Sequence, residues 1–107
     1  MVDIITDENF ESFVNQKDQL VLVDFYADWC VPCKMLKPIL EQISKDEIIP
    51  IGKLNIEKSP KVSEKIGIKG VPTMILYKNN LPLDMKFGFN NKAQIIEWIT
   101  SYNGNKN

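Results

Sequence analysis

Cys30 and Cys33 are the only thiols in a chain of 107 residues that contains no histidine. Their C-x-x-C spacing suits two chemistries, metal binding and thiol–disulfide exchange. A structural zinc site wants four cysteine or histidine ligands. This chain would need a second chain or carboxylates to complete one, so zinc fails by counting. Two inert buried thiols would be the bland alternative. The flanking residues, Trp29-Cys30-Val31-Pro32-Cys33-Lys34, read as a turn rather than a core. The pair follows an apolar run and precedes an amphipathic helical pattern, so it lies where a strand passes into a helix. A helix N-terminus offers unpaired N–H groups and the positive end of the helix dipole. A thiolate there is stabilised, and its pKa falls below the free value of about 8.5. Cys30 is expected nearer the helix start and solvent, with Cys33 one turn in on nearly the same side. Cys30 can then attack an external disulfide while Cys33 waits within bonding reach. Pro32 presets φ at the helix start, where it costs no hydrogen bond.

The elements that must hold this pair are legible on either side of it. Leu20 to Ala27 is nearly unbroken hydrophobic, as in a central strand covered on both faces, and Asp24 is its one violation. Leu36, Ile39, Leu40 and Ile43 form the stripe of the following helix, which ends near Lys45; Pro38 inside it should kink it. Upstream, Val2 to Ile5 is a short strand. A helix carrying Phe10, Phe13 and Val14 follows, with Thr6 or Asp7 as its cap. Downstream, Ile48 to Ile56 reads as a strand with Lys53 in its middle. Ser59-Pro60 opens a short helix that Gly67 stops, with Val62 and Ile66 inward. Thr73 to Lys78 is a strand, and Asn79-Asn80 a tight turn. Leu81, Leu83, Met85 and Phe87 then alternate with Pro82, Asp84 and Lys86, a half-exposed strand that Pro82 places at an edge. Asn91 and Gln94 form a capping box. Ile95, Trp98, Ile99 and Tyr102 face inward on the last helix, Gly104 ends it, and Asn105-Lys106-Asn107 is a frayed tail. The order is βαβαβα then ββα, with right-handed parallel crossovers in the first half.

Bulk properties exclude several functions. The length suits one domain over residues 1–107. Net charge is −1, with acids and lysines mixed, so no footprint for nucleic acid or an anionic membrane is present. The first eight residues carry acids where a signal peptide needs bases, and no apolar run approaches a membrane span. A cytoplasmic, reducing compartment is expected, where a C-x-x-C pair is catalytic or metal-binding rather than a staple.

Val23-Asp24-Phe25, Trp29-Cys30-x-Pro32-Cys33-Lys34, Pro38, Lys53-Leu54-Asn55, Gly70-Val71-Pro72-Thr73 and Gly88 together resemble the thioredoxin family, in its order and spacing and over essentially the whole chain. The resemblance implies an α/β thioredoxin fold, a central mixed five-stranded sheet flanked by four helices. It implies a general protein-disulfide reductase with Cys30 as nucleophile and Cys33 as resolving thiol. Asp24 matches the buried acid behind the cysteines, able to take the Cys33 proton, since burial raises a carboxyl pKa. Lys53 matches the lysine that tunes it; the plainer role is a snorkelling surface lysine. Pro72 matches a cis-proline, where an ordinary trans turn is the alternative. Trp29, Val71, Pro72, Gly88 and Phe89 would contact clients, although Trp29 could serve packing alone. The resemblance also implies no bound cofactor or metal beyond the redox-active Cys30–Cys33 disulfide. Electrons would come from NADPH through a separate thioredoxin reductase, because the chain lacks a Gly-rich nucleotide fingerprint. Disulfide-containing client proteins would be its other partners, and the chain would act as a monomer. Four departures stand out. Val31 replaces a usual glycine and, with Pro32, bears on the reduction potential. Tyr26 replaces a common tryptophan, and Lys37 and Phe89 replace smaller residues. A disulfide isomerase or oxidase on the same fold, or a non-catalytic binding subunit, are the rival readings.

Overall fold

The computed structural model describes residues 1–103. Their elements run β1 (Asp3–Ile5), α1 (Phe10–Val14), β2 (Leu20–Tyr26), α2 (Val31–Lys45), β3 (Ile51–Asn55), α3 (Pro60–Ile66), β4 (Thr73–Lys78), β5 (Leu81–Phe87) and α4 (Lys92–Asn103). The strands form one five-stranded sheet in the order β1-β3-β2-β4-β5. β3 runs parallel to β1 and β2, β4 antiparallel to β2, and β5 antiparallel to β4. The strand assigned to residues 48–56 is therefore shorter, and the central strand stops one residue before Ala27.

β2 lies at the centre because it is apolar on both faces. Leu20 and Leu22 pack with Leu36, Leu40 and Ile43 of α2 and with Ile95, Trp98 and Ile99 of α4. Val21, Val23 and Phe25 pack on the other side with Phe13 and Val14 of α1 and Val62 and Ile66 of α3. Side chains alternate along a strand. Asp24 therefore shares the face of Leu20 and Leu22, beneath α2. Its pairing partner on β3, Lys53, shares that face. The helix runs unbroken through Pro38, whose ring is on the exposed side, where water can meet the carbonyl that loses its partner.

Local turn chemistry explains the punctuation. Asn79 and Asn80 both have positive φ, 52° and 67°, as a tight two-residue hairpin requires. Gly67 ends α3 in the left-handed region. Asn91 and Gln94 bond reciprocally, side chain to backbone N–H, at 2.9 and 2.8 Å. Two expectations fail, the cap of α1 and the inward placement of Tyr102. The residue at the cap of α1 is Asn9, not Thr6 or Asp7. Asp7 instead accepts the Lys61 and Val62 N–H groups, at 3.3 and 2.9 Å, and so caps α3 across the molecule; Ser59 makes no such bond. On β5 the apolar residues are the exposed ones, whereas Asp84 and Lys86 are half-buried against α4. Tyr102, expected inward, is exposed with its hydroxyl on Asp84. The readings at Gly104 and at residues 105–107 lie outside the described residues.

Candidate active site

β2 delivers the chain to Ala27, whose carbonyl accepts the Cys30 N–H at 3.3 Å. That turn brings Cys30 to the N-cap of α2, with Pro32 in the first turn. Cys30 Sγ accepts the Cys33 N–H at 3.2 Å. The sulfur therefore takes the place a capping oxygen usually holds, on the positive end of a 15-residue helix. Cys30 and Cys33 are joined as a disulfide, with Cα atoms 5.2 Å apart. Cys30 is the residue nearer the helix start, as expected, and neither cysteine is open to solvent. In the disulfide state Cys30 is 3% and Cys33 5% exposed, because Cys30 folds its sulfur back onto the helix. The residues that flank it, Trp29 and Val31, are the exposed ones.

Behind the disulfide lies a cavity of about 240 Å³, lined by Cys33, Asp24, Lys53 and Tyr26 among others. Asp24 is 4% exposed, and its Oδ1 has no hydrogen-bond partner. Burial pushes its carboxyl up to about 7, against the opposing attraction of Lys53. The space is ample for water, and the unpartnered oxygen is a polar site for one. Lys53 is half-buried, its Nζ 5.9 Å from the Tyr26 ring centroid. Lys37 also lines the cavity, a position that sequence alone left without a location.

In front of the disulfide, Val71 packs on the cluster formed by Ala27, Cys30 and Cys33. The Val71–Pro72 bond is cis. The Pro72 carbonyl accepts the Gly88 N–H at 2.9 Å, and Thr73 Oγ1 donates to the Gly70 carbonyl at 2.7 Å. Gly88 has φ +89°, which L side chains rarely adopt. Phe89 follows it, exposed. Sequence reading missed Glu57. Its carboxylate accepts the Trp29 indole N–H at 3.1 Å, and its own N–H donates to Asn55 Oδ1 at 2.9 Å. A single glutamate after a strand carries no signal of this; only the fold brings it to Trp29.

A disulfide capping a helix, an unpartnered acid behind it and a cis-proline loop against it define a dithiol–disulfide exchange protein. The family model described as Thioredoxin matches residues 1–101. The thioredoxin of Rickettsia bellii is 45% identical over 103 residues, covering 94% of this chain and 98% of that protein. That of Chlamydia caviae is 40% identical over 103 residues, covering 95% and 99%. The crystal structure of Chlamydomonas reinhardtii thioredoxin f2 superposes with a TM-score of 0.89 at 28% identity, covering 99% of this chain and all of that one. The chain belongs to the thioredoxin family. Its five-stranded mixed sheet and four helices are the thioredoxin fold, it is a disulfide reductase, and its redox group is the Cys30–Cys33 disulfide. Among the described residues no helix is long and apolar enough to cross a membrane.

Proposed function

We propose that the chain is a single-domain, monomeric general protein-disulfide reductase of the cytoplasm in which Cys30 is the attacking sulfur and Cys33 the resolving one. The observation that carries this assignment is the Cys33 N–H···Sγ bond at the head of α2. In the reduced protein the same donor and the helix dipole favour a Cys30 thiolate. That thiolate attacks a client disulfide. A Cys30–client bond forms, and one client sulfur leaves as a thiolate and takes a proton from water. Cys33 then loses its proton to the Asp24 carboxylate, directly or through water in the shared cavity. The Cys33 thiolate attacks Cys30, closes Cys30–Cys33 and releases the second client sulfur as a thiolate, which takes a proton from water while Asp24 gives its own back to solvent. The client gains two electrons and two protons. A separate NADPH-dependent thioredoxin reductase returns both to the chain. Lys53 tunes Asp24, Val31 and Pro32 set the balance between the thiols, and Trp29, Val71, Pro72, Gly88 and Phe89 contact the client.

Two measurements test this. Cys33→Ser should accumulate a stable Cys30–client mixed disulfide, visible by mass spectrometry, whereas Cys30→Ser should form none. If Cys30→Ser traps client through Cys33, the assignment is reversed. The reduction potential, read against dithiothreitol and glutathione buffers, should fall near roughly −270 mV; a value near roughly −180 mV would sink the general-reductase reading.

A further inference from the structure

Lys53 acts on Asp24 from across the cavity, so its effect depends on where its long side chain is held. The strand register sets the frame. On the parallel strands β2 and β3, Asp24 pairs with Lys53 and Tyr26 with Asn55. Side chains two apart on a strand share a face. Tyr26 therefore stands diagonally beside Lys53 on the face beneath α2, and Asp24, Tyr26 and Lys53 all line the cavity behind Cys33. The Lys53 Nζ lies 5.9 Å from the centre of the Tyr26 ring. At that range a ring face attracts an ammonium. The ring is itself held, because Tyr26 packs on the cluster of Ala27, Cys30 and Cys33. A lysine left to itself carries its charge out to water. Lys53 stays half-buried. The cavity wall also carries Lys34, Lys37 and Glu41 from α2 and Asp28 from the turn before it. Burial raises the Asp24 carboxyl, and Lys53 is the charge that opposes it.

We propose that Tyr26 is a positioning residue for the resolving step, its ring face holding the Lys53 ammonium at the cavity where the charge acts on Asp24. The ring thereby sets how much of Asp24 is ionised and ready to take the Cys33 proton. The face of the ring does this, and the hydroxyl is not needed. The inference rests on the reductase reading above and deepens it, by giving the acid behind the disulfide a third member.

The test titrates Asp24 in the disulfide form through its carboxyl carbon shift. Tyr26→Leu removes the ring face and should move the midpoint up, by part of the shift that Lys53→Gln gives. Tyr26→Phe keeps the ring and should leave the midpoint in place. Added to Lys53→Gln, Tyr26→Leu should produce no further rise. The acid limb of the pH profile for mixed-disulfide resolution should move with the midpoint in Tyr26→Leu and stay put in Tyr26→Phe. A ring that only shields Asp24 from water predicts the opposite sign, since truncation would hydrate the carboxyl and lower its midpoint. A fall would therefore overturn the proposal, as would a rise that persists in the Lys53→Gln background. Should Tyr26→Leu fail to fold, the wild-type protein decides. The Tyr26 ring current should shift the Lys53 ε-methylene protons upfield, and resonances at the free-lysine position would overturn the contact. A midpoint that moves in Lys53→Gln and not in Tyr26→Leu overturns this inference alone. A midpoint that moves in neither removes the lysine's tuning role as well, and Cys30 trapping still judges the reductase separately.

Discussion

Asp24 and Asp84 are the same residue in opposite circumstances. Asp24 is buried at the centre of the sheet with an oxygen that bonds to nothing, and its carboxyl is raised to about 7. Asp84 sits on the edge strand and accepts the Trp98 indole at 2.9 Å and the Tyr102 hydroxyl at 2.7 Å, besides the Met85 N–H at 2.8 Å. Those donors hold its carboxyl below the usual value. Asp84 joins β5 to α4 and is given every partner it can use. Asp24 is denied partners beside the disulfide. A group kept short of hydrogen bonds destabilises the fold, and here it is poised to exchange a proton near neutral pH.

The largest expected effect comes from removing the denial. The folded pKa of Asp24, about 7, lies above its ordinary 3.8, so between those values the folded chain holds a proton that the unfolded chain has released. The stability from that proton is full below about pH 3.8 and is lost as pH rises through about 7. Asp24→Asn mimics the protonated form at every pH. At pH 9 it should raise the unfolding free energy of the disulfide form by roughly 4 kcal/mol, and near pH 4 by little. Urea unfolding at both values checks this. Equal stability of the two proteins at pH 9 would mean that Asp24 is not buried as a charge. The same variant should slow mixed-disulfide resolution while leaving its formation unchanged, in single-turnover quench experiments.

Asp84→Ala should do the reverse, and less. It leaves the Trp98 and Tyr102 donors to solvent, which should cost about 1 kcal/mol at pH 7 after screening. A depressed carboxyl stabilises above its unfolded pKa, and that contribution is lost as pH falls through the folded value. The gap between the wild type and Asp84→Ala should therefore close in acid. If the gap widens in acid, the contrast between the two aspartates fails.

One aspartate was legible in sequence and the other was not, for a physical reason. Asp24 interrupts a run whose neighbours fix both faces as buried, so its burial follows from position alone. The alternation on β5 shows two faces but not which one a helix covers, and α4 covers the face of Asp84 and Lys86. Asp7 and Glu57 were misread or missed for a related reason. Their partners, the first turn of α3 and the Trp29 indole, are far away in sequence and near only in the fold. Several features set by adjacent residues were legible, namely the Asn79-Asn80 turn, the Gly67 stop, the Asn91–Gln94 box and the cysteines at the head of α2, whereas the cap of α1 was not. The family match added the cis bond at Pro72, which no local pattern shows.

Lys53 sharpens the comparison at a finer level. It favours the charged form of Asp24 but is outweighed by burial. Lys53→Gln should move the Asp24 midpoint above 7, read from the carboxyl carbon shift by NMR. An unchanged midpoint would remove Lys53 from any tuning role and return it to a surface lysine.

The smallest effect is at Tyr102, and it tests whether the Asp84 network is shared among its donors. Tyr102→Phe removes one donor and leaves Trp98 Nε1 and the Met85 N–H in place. The Asp84 carboxyl should then move part of the way back up towards its ordinary value, and the thermal midpoint should fall by less than half of the Asp84→Ala change. Coupling is reciprocal, since the hydrogen bond to Asp84, more than desolvation or the carboxylate's charge, raises the Tyr102 phenol above its ordinary 10. Asp84→Ala should therefore lower that phenol, seen by ultraviolet titration. Tyr77, raised to about 12 by burial, stays clear of it. The Tyr26 phenol is also raised, chiefly by burial, so the assignment is made by repeating the titration in Tyr26→Phe. If the Tyr102 phenol does not move, its hydroxyl is bonded to water, and Trp98 alone ties β5 to α4.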